Sequence, residues 1–288
     1  FLPNVMTSPR ILLGAHNIRP KKQLGQNFII DPAFTKMIVN RSGILPEDVV
    51  LEIGAGLGAL TIPLARKAKK VFAVERDQLI IDILKREILA SGLSNTVIIE
   101  KNILTFDIEV LAENIGRKIV VMGNLPYNIS SQILVQLIKS RKVVSRAILM
   151  FQKELAQRIS AQPNCKDYGR LTVMLRYCSD IKKLADAKAS LFYPKPKVDS
   201  EILEVKFKSK VVHPVRDETF FFRVIKAAFG NRRKTLKNAL AASELNIDAN
   251  TAKHILERSG IDPVRRAETL NTEEFVKLSN LLYDSYPK

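Results

Sequence analysis

The chain has 288 residues, and its 46 lysines and arginines against 29 aspartates and glutamates give a net charge of +17. Hydrophobic residues make up 46% and charged residues 26% of the chain, which excludes an intrinsically disordered protein. The 13 prolines and 12 glycines exclude a collagen-like or linker-dominated chain. The composition therefore predicts a strongly basic folded protein, with one large domain or a large domain and a smaller companion.

Cysteine and histidine are scarce. The two cysteines, Cys165 and Cys178, cannot form a disulfide scaffold, and the three histidines are too far apart for a zinc site. The first ten residues lack the basic and then apolar pattern of a secretion signal. Residues 119–138 carry no charge, but the asparagines, serines and proline in their middle would be costly in lipid. We therefore expect a cytoplasmic protein with no metal and no membrane span.

Short apolar, β-branched runs alternate with helical patterns between about residues 30 and 150. The runs predict buried strands at 49–53, 71–75, 97–100, 119–122 and 147–151. Helical spacing fills the intervals at 60–68, 79–91 and 131–139. We expect Asp31 to cap a helix with Pro32 at its first position, and Gly92 to end the second of these three helices. The alternation predicts an α/β fold with a doubly wound parallel sheet.

The pattern changes after this part of the chain. Residues 171–178 fit a strand or a helix, and 181–187 with 198–207 predict a final strand pair. Beyond residue 210 only helical patterns occur, at 220–230, 232–243, 251–260 and 271–283. Gly230 and Gly260 are expected helix ends, and Asn271 with Glu274 is a predicted capping box. We expect a basic N-terminal arm at 1–25, the α/β domain at 26–208 and a helical domain at 209–288.

The positive charge is unevenly distributed. The excess is +14 before residue 210 and +3 after it. Three stretches contain bases but no acids: the arm before Asp31, residues 117–153, and residues 223–237. Because phosphates release condensed counterions to lysine and arginine, these clusters favour a polyanionic partner. We expect the excess of +14 to gather phosphates around the mouth of the site that the first part of the chain would hold, as well as on the helical tail.

A glycine-rich turn follows the first predicted strand of the sheet. Gly54, Gly56 and Gly58 alternate with apolar residues, and Glu75 ends the next strand seventeen residues after Gly58. Glycines let a ligand approach the backbone, and an acid in that place can accept hydrogen bonds from ribose hydroxyls. Dinucleotide enzymes and S-adenosylmethionine enzymes share this geometry. The alternating spacing of the three glycines leans modestly toward S-adenosylmethionine.

Four residues at the end of the fourth predicted strand distinguish these two classes: Asn124, Leu125, Pro126 and Tyr127. The exocyclic amine of adenine is a poor nucleophile, because its lone pair is delocalised into the ring. Acceptors on the Asn124 side chain and the Leu125 carbonyl can hold both amine hydrogens, and Tyr127 can stack on an extruded base. A β-turn with a buried tyrosine would show the same residues, but with the glycine turn upstream the pattern favours a nucleobase amine methyltransferase over a dehydrogenase.

These motifs resemble those of the ribosomal RNA adenine N6,N6-dimethyltransferases, a family that includes small-subunit rRNA dimethylases and macrolide-resistance rRNA methylases. The resemblance covers nearly the whole chain, and the motifs occur in the family's order. They read KKQLGQNF at 21–28, LEIGAGLGALT at 51–61, NLPYNIS at 124–130, QKELAQR at 152–158, YGRLTV at 168–173, FYPKPKVDS at 192–200, AFGNRRKTLKNAL at 228–240 and RAETLNTEEFVKL at 266–278. QKELAQR, YGRLTV and the helical tail are closer to the small-subunit branch.

The resemblance implies a Rossmann-like, S-adenosylmethionine-dependent methyltransferase domain and roles for particular residues. Asn27 and Ile29 would line the methionine end of the cofactor, Gly54 and its neighbours would pass under it, and Glu75 would hold the ribose. Asn124 would lie between the cofactor and the target amine. By the same resemblance, Phe192 would be the wall of the base slot opposite Tyr127, although on its own it is more typical of a core aromatic.

One position departs from the family pattern. The family usually has an aspartate after the third sheet strand to bind the adenine amino group of the cofactor, and this chain has Asn102. The asparagine carbonyl oxygen can accept that hydrogen bond, but without the strength that a charge adds. The alternative is that Asp107 takes the role. We favour Asn102 with a weaker affinity.

The resemblance predicts that the chain dimethylates N6 of two adjacent adenosines in a hairpin near the 3′ end of small-subunit rRNA, on an assembling small ribosomal subunit during ribosome biogenesis. We expect a monomer that needs no tuned general base, because the sulfonium is already activated. The predicted RNA-binding residues are Lys21, Lys22, Arg232, Arg233 and Lys234. They would position phosphates, while the shape of the RNA and of the particle selects the site.

Three other functions remain open from the sequence. The same chemistry on large-subunit rRNA would give antibiotic resistance. A protein that uses the fold only to dock in ribosome assembly or transcription would not bind S-adenosylmethionine. Hydride transfer with a nicotinamide cofactor is disfavoured, because no catalytic acid or histidine follows the fold in a suitable place.

Overall fold

The structure is a computed structural model that describes residues 8–231 and 233–285. Its strands are β1 Phe28–Ile29, β2 Val49–Ile53, β3 Lys70–Glu75, β4 Thr96–Glu100, β5 Ile119–Asn124, β6 Val144–Gln152, β7 Ser179–Ala187, β8 Phe192–Tyr193 and β9 Ser200–Phe207. Its helices are α1 Pro9–Ala15, α2 Pro32–Arg41, α3 Thr61–Ala65, α4 Gln78–Ala90, α5 Ile108–Ile115, α6 Ser130–Lys139, α7 Lys153–Ser160, α8 Arg170–Cys178, α9 Glu218–Ala228, α10 Leu236–Ala241, α11 Ala249–Arg258 and α12 Thr272–Ser285.

A mixed sheet of seven strands has the order β4-β3-β2-β5-β6-β9-β7. The five strands from β4 to β6 are parallel, whereas β9 is antiparallel to β6. The chain leaves β2 for β3 and β4 on one side and then returns to place β5 on the other side. A crevice forms at the carboxyl ends of strands where the order reverses in this way, so a ligand site is expected between β2 and β5.

The central strands of the sheet are buried because they are apolar on both faces. All five residues of β2 are buried. One face packs on α2 and α3, with Val50, Val120 and Ile148 of the sheet in one cluster with Ile38 and Leu64 of the helices. Residues two apart on a strand share a face, so alternate positions of β5 and β6 enter the same cluster. The carboxyl ends of these parallel strands therefore lie side by side at one end of the sheet.

The predicted helix ends are confirmed in this part of the chain. The Asp31 carboxylate accepts hydrogen bonds from the backbone amides of Ala33 and Phe34, 2.8 and 3.2 Å away, and Pro32 is the first residue of α2. Gly92 has φ +66° just after the end of α4. The doubly wound α/β fold with parallel strands is likewise confirmed, with the antiparallel β9 as an addition to it.

The chain divides into two units. The first comprises the residues up to Ala156 together with Ile181–Phe207, and the second comprises Gln157–Asp180 with the residues from Lys208 onward. The predicted domain boundaries placed 157–180 in the α/β domain, whereas this segment groups with the helical unit. The reason is that its ambiguous part is the helix α8, which contacts α9 and α12 of the helical unit.

Aromatic rings form the interior of the second unit. The rings of Tyr177 on α8 and Phe221 on α9 lie 4.7 Å apart, and those of Phe229 and Phe275 stack at 5.8 Å. The predicted capping box of α12 is confirmed, since the Asn271 and Glu274 side chains each accept the other's backbone amide at 2.8 Å. The helix expected at 232–243 begins only at Leu236, because the Thr235 hydroxyl caps α10 there.

Glu52 on β2 is a buried acid whose burial is only partly compensated. Its side chain is 1% exposed, and one carboxyl oxygen has no hydrogen-bond partner among the described residues. Burial raises the pKa of the Glu52 carboxyl to about 8; Thr61 partly opposes this effect, and the nearby charge of Glu75 adds to it. The folded protein therefore keeps Glu52 protonated where an unfolded chain releases the proton.

This difference predicts a pH-dependent stability. Since the folded state holds the Glu52 proton and the unfolded state loses it above its usual pKa, the free energy of unfolding falls as the pH rises from 4.5 to about 8. Thermal melts of wild type and Glu52→Gln should differ little at pH 5, and the variant should gain about 1.4 kcal/mol per pH unit toward pH 8. Glu47→Gln, at an exposed acid before β2, is the control. Melting curves of wild type and Glu52→Gln that keep a constant separation across this range would contradict the assignment.

Candidate functional site

A cleft lies in the first unit at the carboxyl ends of β2, β3, β4 and β5. Its lining includes eight of the predicted site residues, which are Asn27, Ile29, Gly54, Gly56, Glu75, Asn102, Asn124 and Pro126. Four others, Gly58, Leu125, Tyr127 and Phe192, are not among the lining residues. The fold therefore brings together residues that are far apart in the sequence, such as Asn27 and Asn124, which are 97 positions apart.

The glycine turn after β2 forms the floor of this cleft. Gly54, Gly56 and Gly58 have φ values of +73°, +53° and +89°, which L side chains rarely adopt. A Cβ on Gly56 would lie 3.3 Å from the ring of Phe28, and one on Gly58 would lie 3.0 Å from a Leu84 methyl group. The turn thus requires glycines both for its conformation and for space.

Glu75 ends β3 beside this turn. One carboxylate oxygen accepts the backbone amide of Gly56 at 3.0 Å, and the other accepts those of Arg76 and Asp77 at 2.8 and 3.1 Å. An ionised carboxylate has about four lone-pair positions, so these three bonds fix the group and leave capacity for one more donor. The Glu75 side chain is therefore held in a fixed orientation at the edge of the cleft.

Asp77 ties the N-terminal arm to the same corner. Its carboxylate forms an ion pair with the Lys21 ammonium at 2.9 Å and accepts the Gln26 side-chain amide at 2.8 Å. Gln26 in turn accepts the Lys21 backbone amide at 2.7 Å. The Asp77 side chain is only 2% exposed, whereas that of Lys21 is 39% exposed, so only the carboxylate end of the ion pair is shielded from water. This carboxylate is therefore one of the groups that hold the segment with Gln26 and Asn27 beside the cleft.

The side-chain amide of Asn124 has a defined orientation. Its nitrogen donates to the Asn27 carbonyl oxygen at 2.8 Å, which leaves the oxygen Oδ1 as an acceptor. Asn27 is itself fixed, because its side chain donates to the Gly25 carbonyl at 3.1 Å. No described residue donates to the carbonyl oxygen of Leu125. Two acceptors, the Asn124 amide oxygen and the Leu125 carbonyl, are thus available at the end of β5.

The two aromatic residues predicted to hold a base differ in their surroundings. Tyr127 is half-buried, and its hydroxyl makes a 2.9 Å hydrogen bond with that of Ser200, the first residue of β9. Burial raises the pKa of Tyr127, so the phenol is neutral. Phe192 is only 3% exposed, and it packs in the core cluster with Ile29. A base could stack on Phe192 only if the ring or its neighbours moved, so that role stays a prediction.

Asn102 and Asp107 are placed differently relative to the cleft. Asn102 lines it, directly after β4. Asp107 is not a lining residue, and its carboxylate caps α5 by accepting the backbone amides of Glu109 and Val110, both at 3.0 Å. This placement supports the preference for Asn102 over Asp107.

The predicted RNA-binding residues fall into three groups. Arg232 lies outside the described residues. Lys21 is engaged in the ion pair with Asp77, so its charge is largely committed within the protein. Lys22, Arg233 and Lys234 are exposed, and their charges face solvent.

The acid-free stretch at 117–153 does not concentrate its charge at the cleft. Arg117 and Lys118 come directly before β5, and Arg141 and Lys142 come just before β6. Because these strands are parallel, their amino ends lie together at the opposite end of the strands from the cleft. The expectation that the excess charge of this part gathers around the active-site mouth is therefore wrong for these four residues.

Two residues that matter for the site were not found from the sequence. Gly123 precedes Asn124, and a Cβ there would lie 2.5 Å from the Ile53 carbonyl oxygen, so only glycine lets β5 pass β2 at this point. A lone glycine inside a strand pattern signals such a close approach, so the sequence contained a usable sign. Asp77 had none, because its partners Lys21 and Gln26 lie 56 and 51 positions away.

Among residues 8–231 and 233–285, no group of three or more histidines, cysteines, aspartates or glutamates is arranged to hold a metal ion. Within the same residues, no helix has both the length and the apolar character needed to cross a membrane.

A glycine turn, an acid at the end of the next strand and an Asn-Leu-Pro-Tyr turn on a doubly wound sheet define a Rossmann-like methyltransferase. Residues 17–283 match the family described as ribosomal RNA adenine dimethylase, and the chain belongs to that family. Ribosomal RNA small subunit methyltransferase A of Desulforapulum autotrophicum is 50% identical over 281 residues, with 98% of each chain covered.

Solved structures have the same fold. A dimethyladenosine transferase from Plasmodium falciparum superposes with a TM-score of 0.75 at 28% identity, over 87% of this chain and 95% of the other. The 23S rRNA methyltransferase ErmE superposes with a TM-score of 0.67 at 23% identity, over 89% of this chain and all of the other. The second likeness shows the fold alone.

The position of Asp77 predicts that it supports cofactor binding without lining the cleft. Asp77→Ala removes two of the contacts that hold the segment with Gln26 and Asn27, so we expect the Kd for S-adenosylmethionine to rise on the order of 10-fold. Asp82→Ala, at an exposed acid on helix α4, which Asp77 precedes, should leave it unchanged. Isothermal titration calorimetry measures both, with thermal melts to verify folding. An unchanged Kd in folded Asp77→Ala would rule out this role.

Proposed function

We propose that the chain transfers methyl groups from S-adenosylmethionine to N6 of adenosines in small-subunit rRNA, two per base. The observation that carries the proposal is the amide of Asn124, whose nitrogen is bound to Asn27 and whose oxygen is available beside the glycine turn. An acceptor with a fixed direction is what an aromatic amine needs in order to present its lone pair to a methyl donor.

The residues around the cleft fit S-adenosylmethionine. The glycine turn leaves space where a Cβ on Gly56 would approach Phe28, and Glu75 has remaining acceptor capacity for a ribose hydroxyl. Asn27 and Ile29 line the cleft near Asn124, where the methionine end would lie. When bound, the cofactor supplies a methyl group already activated by a positively charged sulfur.

The protein's own part in the reaction is positioning. The Asn124 amide oxygen and the Leu125 carbonyl would accept the two amine hydrogens of adenine and favour a pyramidal nitrogen, while Pro126 limits the motion of the turn. Tyr127, held by Ser200, would stack on the base. Glu52 has a raised pKa but is buried and does not line the cleft, so it is not a candidate general base. The surplus proton would leave to water after attack.

The choice of small-subunit rRNA rests on the relatives, because the 50% identical one carries that substrate in its name. The motif resemblance extends the proposal to two adjacent adenosines in a hairpin near the 3′ end, met on an assembling subunit in the cytoplasm by a monomer. Exposed bases such as Lys22, Arg233 and Lys234 would contact phosphates without reading sequence.

Methylation of purified ribosomal subunits that lack the modification tests this proposal. With labelled S-adenosylmethionine, small subunits should accept four methyl groups each, and mapping should place them on two neighbouring adenosines. Incorporation into large subunits instead would indicate the resistance-type activity. Failure to bind labelled S-adenosylmethionine would indicate a docking protein.

Asn124→Ala tests the role of the site directly. The variant loses the acceptor for the amine, so methyl transfer should fall at least 100-fold, while binding to the small subunit persists. Asn40→Ala, at an exposed asparagine on α2, is the matched control and should retain full activity. Filter binding measures subunit association, and label incorporation measures turnover. Unchanged turnover in Asn124→Ala would refute the assigned role.

Charge reversal in the helical unit tests the RNA contact. Arg233→Glu with Lys234→Glu should weaken binding to the small subunit and lower the slope of log affinity against log salt by about 2, if each base releases one counterion. The pair Lys253→Glu and Arg258→Glu, on the exposed face of α11, changes the net charge equally and serves as the control. Equal salt slopes for the two double variants would mean that Arg233 and Lys234 face solvent and do not contact RNA phosphates.

A further inference from the structure

The two ends of the Asn102 side-chain amide have different surroundings. Its oxygen Oδ1 accepts the backbone amide of Leu104 at 3.2 Å and caps the short 3₁₀ turn of residues 103–105. The main chain of Asn102 is also fixed, because its carbonyl accepts both the amide and the hydroxyl of Thr105, at 3.0 and 3.1 Å. A backbone amide can only donate, so the atom facing Leu104 must be the oxygen.

The nitrogen Nδ2 of Asn102 is therefore the end available to a ligand. Asn102 lines the cleft, and no described residue accepts a hydrogen bond from Nδ2. Turning the amide over would set two donors against each other at Leu104, and the cap would be lost. The end of β4 thus presents a hydrogen-bond donor to the cleft, whereas an aspartate at this position would present an acceptor.

The strand order indicates which part of the cofactor meets this donor. β5, β2, β3 and β4 lie side by side about 4.8 Å apart, and Asn124, the glycine turn, Glu75 and Asn102 follow their carboxyl ends in that order. Under the proposed function, on which this step rests, the methyl group faces Asn124 and the ribose meets Glu75. The nucleobase is attached to the ribose on the side away from the sulfur, so it lies by Asn102.

We propose that Asn102 reads the cofactor's adenine through its ring nitrogen N1, by donating from Nδ2, and that it does not accept a hydrogen bond from the 6-amino group. Adenine offers an acceptor at N1 and a donor at N6 on the same edge. A carboxylate at this position can accept from the amino group but cannot donate to N1, whereas the amide has its oxygen turned to Leu104 and its donor left for N1. Asn102 therefore changes which atom of the base determines affinity.

Binding of three ligands to two proteins tests this proposal. The ligands are S-adenosylhomocysteine, its 1-deazaadenine analogue, which lacks N1, and its purine analogue, which lacks the 6-amino group. For wild type, loss of N1 should raise the Kd about 5- to 10-fold and loss of the amino group less than 3-fold. For Asn102→Asp, whose carboxylate can still cap Leu104, the order should reverse, with loss of the amino group raising the Kd at least 10-fold.

Comparing wild type with Asn102→Asp cancels the contribution to the Kd from contacts that other residues make with the base. Isothermal titration calorimetry supplies the Kd values, and thermal melts show whether Asn102→Asp is folded. A wild type weakened by loss of the amino group, or indifferent to both analogues, would overturn the proposal. If S-adenosylhomocysteine does not bind wild type at all, the proposed cofactor itself is wrong, which is a distinct outcome.

Discussion

Polar groups at the ends of buried strands must be paired within the protein, and this constraint shapes the whole site. The Asn124 amide gives its nitrogen to Asn27, the Glu75 carboxylate takes three backbone amides, and the Asn102 oxygen caps Leu104. Each pairing occupies one part of the group and leaves the other part facing the cleft. The chemistry offered to a ligand is therefore fixed before the ligand arrives, which is how an enzyme that works by positioning reduces the cost of ordering its reactants.

Residues from the N-terminal part of the chain line one part of the cleft, among them Leu24, Gly25, Gln26 and Asn27. β1 pairs with β8, and Asp77 holds the preceding segment through Lys21 and Gln26. Asn27 lies in this segment, so the orientation of Asn124 depends on the residues just before β1 as much as on β5. One charge of the basic arm, that of Lys21, is paired with Asp77 at the site. The net charge of the chain is therefore larger than the number of positive charges available to bind phosphates.

Much of the fold was predictable because the sheet strands are continuous apolar runs, and the cluster of Glu75, Asn102 and Asn124 followed because parallel strands end at one edge. The features that the sequence analysis missed depend on contacts between residues that are distant in sequence. Residues 157–180 join the helical unit through α8, and Asp77 has no local sign of its partners. The pairing of β8 with β1, two strands of two residues each, could not be seen from periodicity either; it buries Phe192, whose role in the base slot stays a prediction.

The most direct test of this account is a crystal structure of the chain with S-adenosylmethionine bound. The account predicts that the cofactor lies along the carboxyl ends of the strands, with its adenine N1 beside Asn102, a ribose hydroxyl on Glu75 and the methyl group facing the Asn124 side. A cofactor bound in the reverse direction, or one whose ribose makes no contact with Glu75, would contradict it.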